Sequence, residues 1–210
     1  MLQGAIIGLI VGIIMTVVML LRRKGLQKQV LDLLARGDVA GARLYLDRKV
    51  PPVSKIPLNK INDQRDRMAA LAAINDTAAL EQEVAAHDGK LTATVQVDAV
   101  ALFGIALRAG DPGPAVDRLD ALATKMEQEG GALMGLVKKQ TRAWADLGRG
   151  LQGQALTAEQ RTAVGGLTNH GGLVQLLVWQ GLYKAFEAAG TPEHGQQYRA
   201  QVQALTQAFD

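Results

Sequence analysis

The chain has 210 residues, a formal net charge of +3 and no cysteine, which excludes disulfides and thiolate-bound metal. Apolar residues make up 48% and aromatic residues only 4%, a mixture that suits closely packed helices and suits a sheet poorly. Residues 22–67 carry a net charge of +7 and residues 68–210 a net charge of −4, so the alkaline balance is local and calls for no nucleic-acid partner.

The segment from Leu2 to Leu21 holds no charged side chain, and Arg22, Arg23 and Lys24 follow at once. Twenty helical residues rise about 30 Å, the thickness of a bilayer's hydrocarbon core. Residues 1–21 therefore read as a single transmembrane helix. No basic leader precedes the segment and no small-residue cleavage site follows it, as a signal peptide would need. Arg22, Arg23, Lys24 and Lys28 are expected at the cytoplasmic membrane surface, against anionic lipid headgroups. That places the amino terminus outside and residues 22–210 in the cytoplasm. Gly4, Gly8, Gly12 and Thr16 recur every four residues along one stripe of the span. Such a stripe permits close approach of a lateral transmembrane partner or of a second copy.

Beyond the span the apolar spacing is helical. Residues 22–50 read as a basic juxtamembrane helical hairpin, with stripes Leu26, Val30, Leu33, Leu34 and then Val39, Ala42, Leu46, Val50. Residues 51–57 form a proline-rich connector, because Pro51, Pro52 and Pro57 lack amide donors. Residues 58–210 read as an α-helical repeat domain. Leu91 to Leu107 is expected to be a central, nearly enclosed helix with Asp98 as its one charge. Val116, Leu119, Leu122, Ala123 and Met126 mark the next helix; Leu133, Leu136, Val137, Trp144 and Leu147 mark another. Val164 to Gly172 is expected to be a flexible loop before the apolar helix Leu173 to Tyr183, which its glutamines assign to burial between neighbours. Tyr198, Val202, Leu205 and Phe209 define the last helix. Breaks are expected at Gly37-Asp38, Asn75-Asp76, Gly110-Asp111, Gly148-Arg149 and Gly190-Thr191, each joining two helices of an antiparallel hairpin.

The stretch Leu34 to Pro51 resembles the second half of a tetratricopeptide repeat, with Gly37, Ala42, Leu46 and Pro51 at the family's places. Gly110, Ala115 and Leu119 stand at the same offsets; Asn75, Leu80 and Val84 do so in degraded form. The resemblance covers about half the chain. It implies an all-α fold, a tetratricopeptide-like solenoid of antiparallel helical hairpins behind the transmembrane helix. It also implies protein binding on the inner surface of the superhelix.

Several motifs lead nowhere. Gly148 to Gly153 matches GxGxxG, but a dinucleotide site needs that turn between a strand and a helix. Arg36-Gly37-Asp38 falls on a hairpin turn. Asn75-Asp76-Thr77 is a glycosylation sequon that matters only outside the cytoplasm. His87, His170 and His194 lie far apart, read as surface or loop residues, and form no metal-ligand spacing. Glu81/Glu83 and Glu127/Glu129 read as solvated helix ends, and Ser54 is the one serine. No catalytic residue, metal or cofactor is expected. The function expected is that of a membrane-anchored helical scaffold or adaptor that binds a protein partner. The alternative is an accessory or regulatory subunit of a multispan membrane enzyme or transport complex.

Overall fold

The computed structural model describes residues 25–87, 92–128 and 134–207. They form helices joined by short turns: α1 (25–35), α2 (Val39–Lys49), α3 (Ile61–Ala73), α4 (Thr77–Ala86), α5 (Thr92–Arg108), α6 (Gly113–Gln128), α7 (Gly135–Leu151), α8 (Ala158–Gly166), α9 (Gly172–Ala188) and α10 (Pro192–Gln207). The architecture is all-α and helical-repeat-like, built from successive hairpins packed helix on helix.

The turns inside the hairpins use one chemistry. Asp38 and Asp76 each accept a hydrogen bond from the amide three residues on, Gly41 or Ala79, which satisfies a donor the helix start leaves open. Asn75 precedes its cap in the left-handed region, at φ 61°, which asparagine tolerates better than most residues. Asp111 accepts from Gly113 at the start of α6. Four of the five expected breaks are therefore real turns. The fifth is displaced. Gly148 lies inside α7, and the helix runs on to Leu151, ending where the amides of Gly153 and Gln154 fold back onto the carbonyls of Gly150 and Arg149. The GxGxxG letters are the last turns of that helix, with Gly148 lying against Val116 and Leu119 of α6.

The first helices of the last four hairpins, α3, α5, α7 and α9, form an inner layer. Each touches the next, and α9 also touches α3. Pairings along them run in one direction. Arg65 meets Gln96 while Ala72 lies under Gly104; Gly181 faces Phe103 while Lys184 reaches Leu107; Leu147 faces Gly181 while Gly150 meets Ala185. The four helices are therefore parallel, wound so tightly that the space between them is filled core. Phe103 and Trp144 pack there with ring centroids 5.0 Å apart. Among the described residues this leaves no open inner groove of the kind that the tetratricopeptide resemblance implies.

Small side chains make such winding possible. A methyl group on Gly181 would stand 2.4 Å from Phe103 and 3.0 Å from Leu147, inside any permissible carbon–carbon contact. On Gly104 it would stand 2.7 Å from the Ala72 methyl.

The expected membrane architecture is corrected here. Among the described residues no helix is long and apolar enough to cross a membrane. The apolar helices α5 and α9 have 17 residues each, about 25 Å of rise, and carry Gln96 and Asp98 or Gln175 and Gln180. Both are buried by neighbouring helices, as expected of them. The described helices do not support the expected single-pass membrane architecture with a cytoplasmic carboxyl-terminal part. The expected span 2–21, with Gly4, Gly8, Gly12 and Thr16, lies outside the described residues, as do Arg22, Arg23 and Lys24. Lys28 is an exposed residue of α1.

The stretch from Val164 to Gly172 is also corrected. It is the end of α8 and a 3₁₀ turn, Leu167–His170, with Val164 and Leu167 buried. The sequence signal for α8 was its capping box: Thr157 accepts from the Gln160 amide and Gln160 accepts in return from the Thr157 amide.

Gly181→Ala should destabilise the chain by about 1–3 kcal/mol in urea unfolding, because Phe103 and Leu147 have no room to yield. Gly165→Ala, in α8 with nothing within 4 Å of the added carbon, should stabilise it by about 0.5–1 kcal/mol through helix propensity alone. Equal effects of the two changes would contradict the close packing of the inner layer.

Candidate functional site

Two constellations stand out: a buried charged seam and an open groove. The seam begins in α3, where every residue from Gln64 to Ala72 is buried, Arg65, Asp66 and Arg67 included. Arg67 has 0% exposure. Its Nε and Nη2 donate to Glu83 of α4 at 2.6–3.1 Å, and Nη1 donates to the Val50 carbonyl at 3.0 Å. Nη2 also lies 2.8 Å from Asp47 Oδ1 of α2, an ion pair. Asp47 in turn accepts from Arg43. Burial works against ionisation of the Asp47 carboxyl, but the hydrogen bonds and charges of Arg43 and Arg67 prevail and hold its pKa below the usual value. One guanidinium thus ties α2, the connector, α3 and α4 together.

The seam continues through His87, whose ring nitrogen Nδ1 lies 2.5 Å from Asp98 Oδ1 of α5, with the side chain almost wholly buried. Burial favours the neutral ring, yet Asp98, Glu83 and a hydrogen bond to the Val53 backbone raise its pKa above the ordinary histidine value. The ring is committed to Asp98 and Val53, so it braces the end of α4, the connector and α5. His87 is not the surface residue expected from sequence, and Glu83 is not a solvated helix end. His170 is half-buried, with Nδ1 3.1 Å from Arg65 Nη1. His194 is exposed beside Glu193. Glu81 is exposed and paired with Arg118; Glu127 is exposed, and Glu129 lies outside the described residues.

The groove lies between α7 and α8 and encloses about 820 Å³. It opens because the six-residue turn after α7 sets the short helix α8 apart, and because the facing residues are small: Ala143 on α7, Ala163 and Gly166 on α8. Leu136 stands at its rim with 65% exposure. Sequence periodicity assigns Leu136 to the core stripe of α7 with Val137 and Trp144; those two are buried and Leu136 is not. Lys138, Lys139 and Arg142 line the same side. Lys138 donates to the Glu127 carbonyl, and Arg142 pairs with Glu127 at 3.5 Å. Lys139 makes no ion pair among the described residues. Among the described residues the groove therefore offers an apolar floor, one exposed leucine, an unpaired cation at Lys139 and an unpaired carboxylate at Glu159. Among the described residues no group of acidic, histidine or cysteine side chains is placed to hold a metal ion.

No protein-family model matches this chain, and no curated protein or solved structure is significantly similar to it.

The His87–Asp98 contact sets a pH dependence. A histidine whose pKa is raised by folding contributes stability that is complete below about pH 6.5 and is lost as pH climbs through the raised value. His87→Gln should therefore cost about 1.5–3 kcal/mol at pH 5.5 and distinctly less at pH 9 in urea melts. A gap that widens toward alkaline pH would refute the assignment. Glu83→Gln, which strips the buried Arg67 of its main counter-charge, should cost about 3–5 kcal/mol near neutrality.

Proposed function

We propose that this chain is a non-enzymatic helical scaffold, tetratricopeptide-like in its hairpins, that holds a segment of a partner protein in the groove between α7 and α8. The observation that carries this reading is Leu136, a large apolar side chain left exposed at the rim of a sizeable cleft with an apolar floor. An exposed leucine alone means little, but one placed over a concave apolar floor is the usual form of a docking site.

The tetratricopeptide-like part of the reading rests on a repeated contact. Five residues after the turn glycine or asparagine come Ala42, Leu80 and Ala115, and nine after it come Leu46, Val84 and Leu119. All of these are buried except Val84, which is partly so. The later hairpins keep a small residue at the first place, Ala158 and Gly195. A regular hairpin contact of this type is what stacked repeats need. The inner layer is closed, so the binding face moves outward to the cleft beside a second helix.

The segment that fits would lay an apolar anchor against Leu136, Ala143 and Ala163, with an acidic residue beside Lys139. A photoreactive amino acid at position 136 should give one discrete adduct in cells, and Ala163→Arg should abolish it. Because Ala163 is exposed, that change should leave the unfolding midpoint nearly unaltered, within about 0.5 kcal/mol. Adducts that persist in the Ala163→Arg protein would exclude the groove as the docking site. A stoichiometric enzyme among the adducts would favour a regulatory-subunit role over that of an adaptor.

A further inference from the structure

At the opposite end of the inner helices from Arg65, three cations line one small pocket. It encloses about 280 Å³ between the end of α5 and the facing sides of α9 and α10, with Arg108, Lys184 and Arg199 in its wall. The half-buried Arg108 guanidinium donates from Nε to the Ala72 carbonyl at 2.9 Å and from Nη2 to Gln180 Oε1 at 3.1 Å. Its Nη1 makes no hydrogen bond among the described residues. Lys184 Nζ uses one donor on the Leu107 carbonyl at 3.0 Å. Arg199 lies over the Tyr183 ring, 5.6 Å from its centroid, and makes no ion pair or hydrogen bond among the described residues.

No carboxylate lines this pocket. Glu187, one turn beyond Lys184, accepts from the Tyr183 hydroxyl at 3.4 Å and pulls on Lys184 from outside the wall. Two of the three cations have a structural duty, since each meets a carbonyl at the negative end of an inner helix. That duty uses one backbone-directed donor apiece and supplies only partial charge. It gives no reason for Arg199 to join them. Burial lowers the pKa of Arg108; burial and the Arg108 charge together lower that of Lys184, against the opposite pull of Glu187. Arg108 is half-buried while Lys184 and Arg199 are exposed; an anion held between the three would relieve the mutual repulsion of their charges. Leu107, Val202 and the Tyr183 ring supply the apolar part of the wall, and Gln180 and Gln203 complete it.

We infer that this pocket is a binding site for a small organic oxyanion, a carboxylate or phosphate monoester on a compact apolar body. The charged head takes the free donors of Arg108 and Lys184 and the guanidinium of Arg199, while the body lies against Leu107 and Val202. The site is separate from the α7/α8 groove and does not rest on the partner-binding reading.

The test is calorimetric titration of the full chain with benzoate, phenyl phosphate, inorganic phosphate and benzyl alcohol. Saturable binding is expected for benzoate or phenyl phosphate, and whichever binds more tightly identifies the head group. Benzyl alcohol should not bind, and inorganic phosphate should bind more weakly than phenyl phosphate. Arg199→Gln and Lys184→Gln should each weaken binding by roughly tenfold, the loss of one charge-assisted contact. Arg108→Gln is unsuitable as the main variant because it uncaps α3; Arg199 is exposed and caps no helix, so its change leaves the helix ends intact. Failure of both organic anions to saturate at millimolar concentration would overturn the assignment, as would affinities unchanged in both variants. Benzyl alcohol binding as tightly as the anions would overturn the charged head, and inorganic phosphate binding as tightly as phenyl phosphate would overturn the apolar body.

Discussion

Close approach of four parallel helices is the constraint on which the molecule depends. Parallel inner helices come this close only where residues at their contacts are nearly without side chains, and Gly181 of α9, against Phe103 of α5 and Leu147 of α7, is where that requirement is sharpest. Hydrophobic burial supplies the driving force, but it is the absent methyl groups that decide how tightly the hairpins wind.

The parallel arrangement also explains where the charges lie. Helices that run the same way add their dipoles, so carbonyls gather at one end of the layer. Arg108 and Lys184 meet those carbonyls directly. Near the other end, α1 joins the layer through Gln27, which donates to Asp66 and accepts from the Gly172 amide. The Arg67 seam has a different purpose. It fastens the first two hairpins and the connector to each other, where small apolar residues alone would leave their mutual orientation poorly specified. Buried ion pairs of this type add little net stability but penalise wrong arrangements heavily.

Much of this could be read from sequence, and the failures share a cause. The hairpin turns at Gly37, Asn75, Gly110 and Gly190 were legible because cap chemistry is local. Helices α5 and α9 were legible as buried because their apolar runs are long. By contrast α3, INDQRDRMAALAA, looks solvent-facing in one dimension, yet its Arg65, Asp66 and Arg67 are enclosed by partners on other helices. Pairing between distant charges leaves no periodic trace, so His87 and Glu83 were misplaced for the same reason. Gly148 reads as a turn in one dimension because glycine serves both turns and tight helix contacts. Leu136 failed the opposite way: its spacing fits the core stripe of α7, but α8 stands too far off to cover it. The inner closure was not legible at all, because it depends on contacts between residues more than a hundred positions apart. Residues 2–21, apolar as they are, fall outside what the structure describes, and the described helices do not include a membrane span.

Helix α8 is bordered on both sides by open space. The groove toward α7 lies on one side, and on the other a cleft of about 700 Å³ separates it from α10, with Phe186, His194 and Tyr198 in its wall. Val164 and the adjoining Leu156 and Leu167 are its buried anchors. Helix α8 is thus held through one buried edge and left uncovered along both flanks. A segment bound in the groove as proposed would border α8 along a flank that the inner layer does not cover.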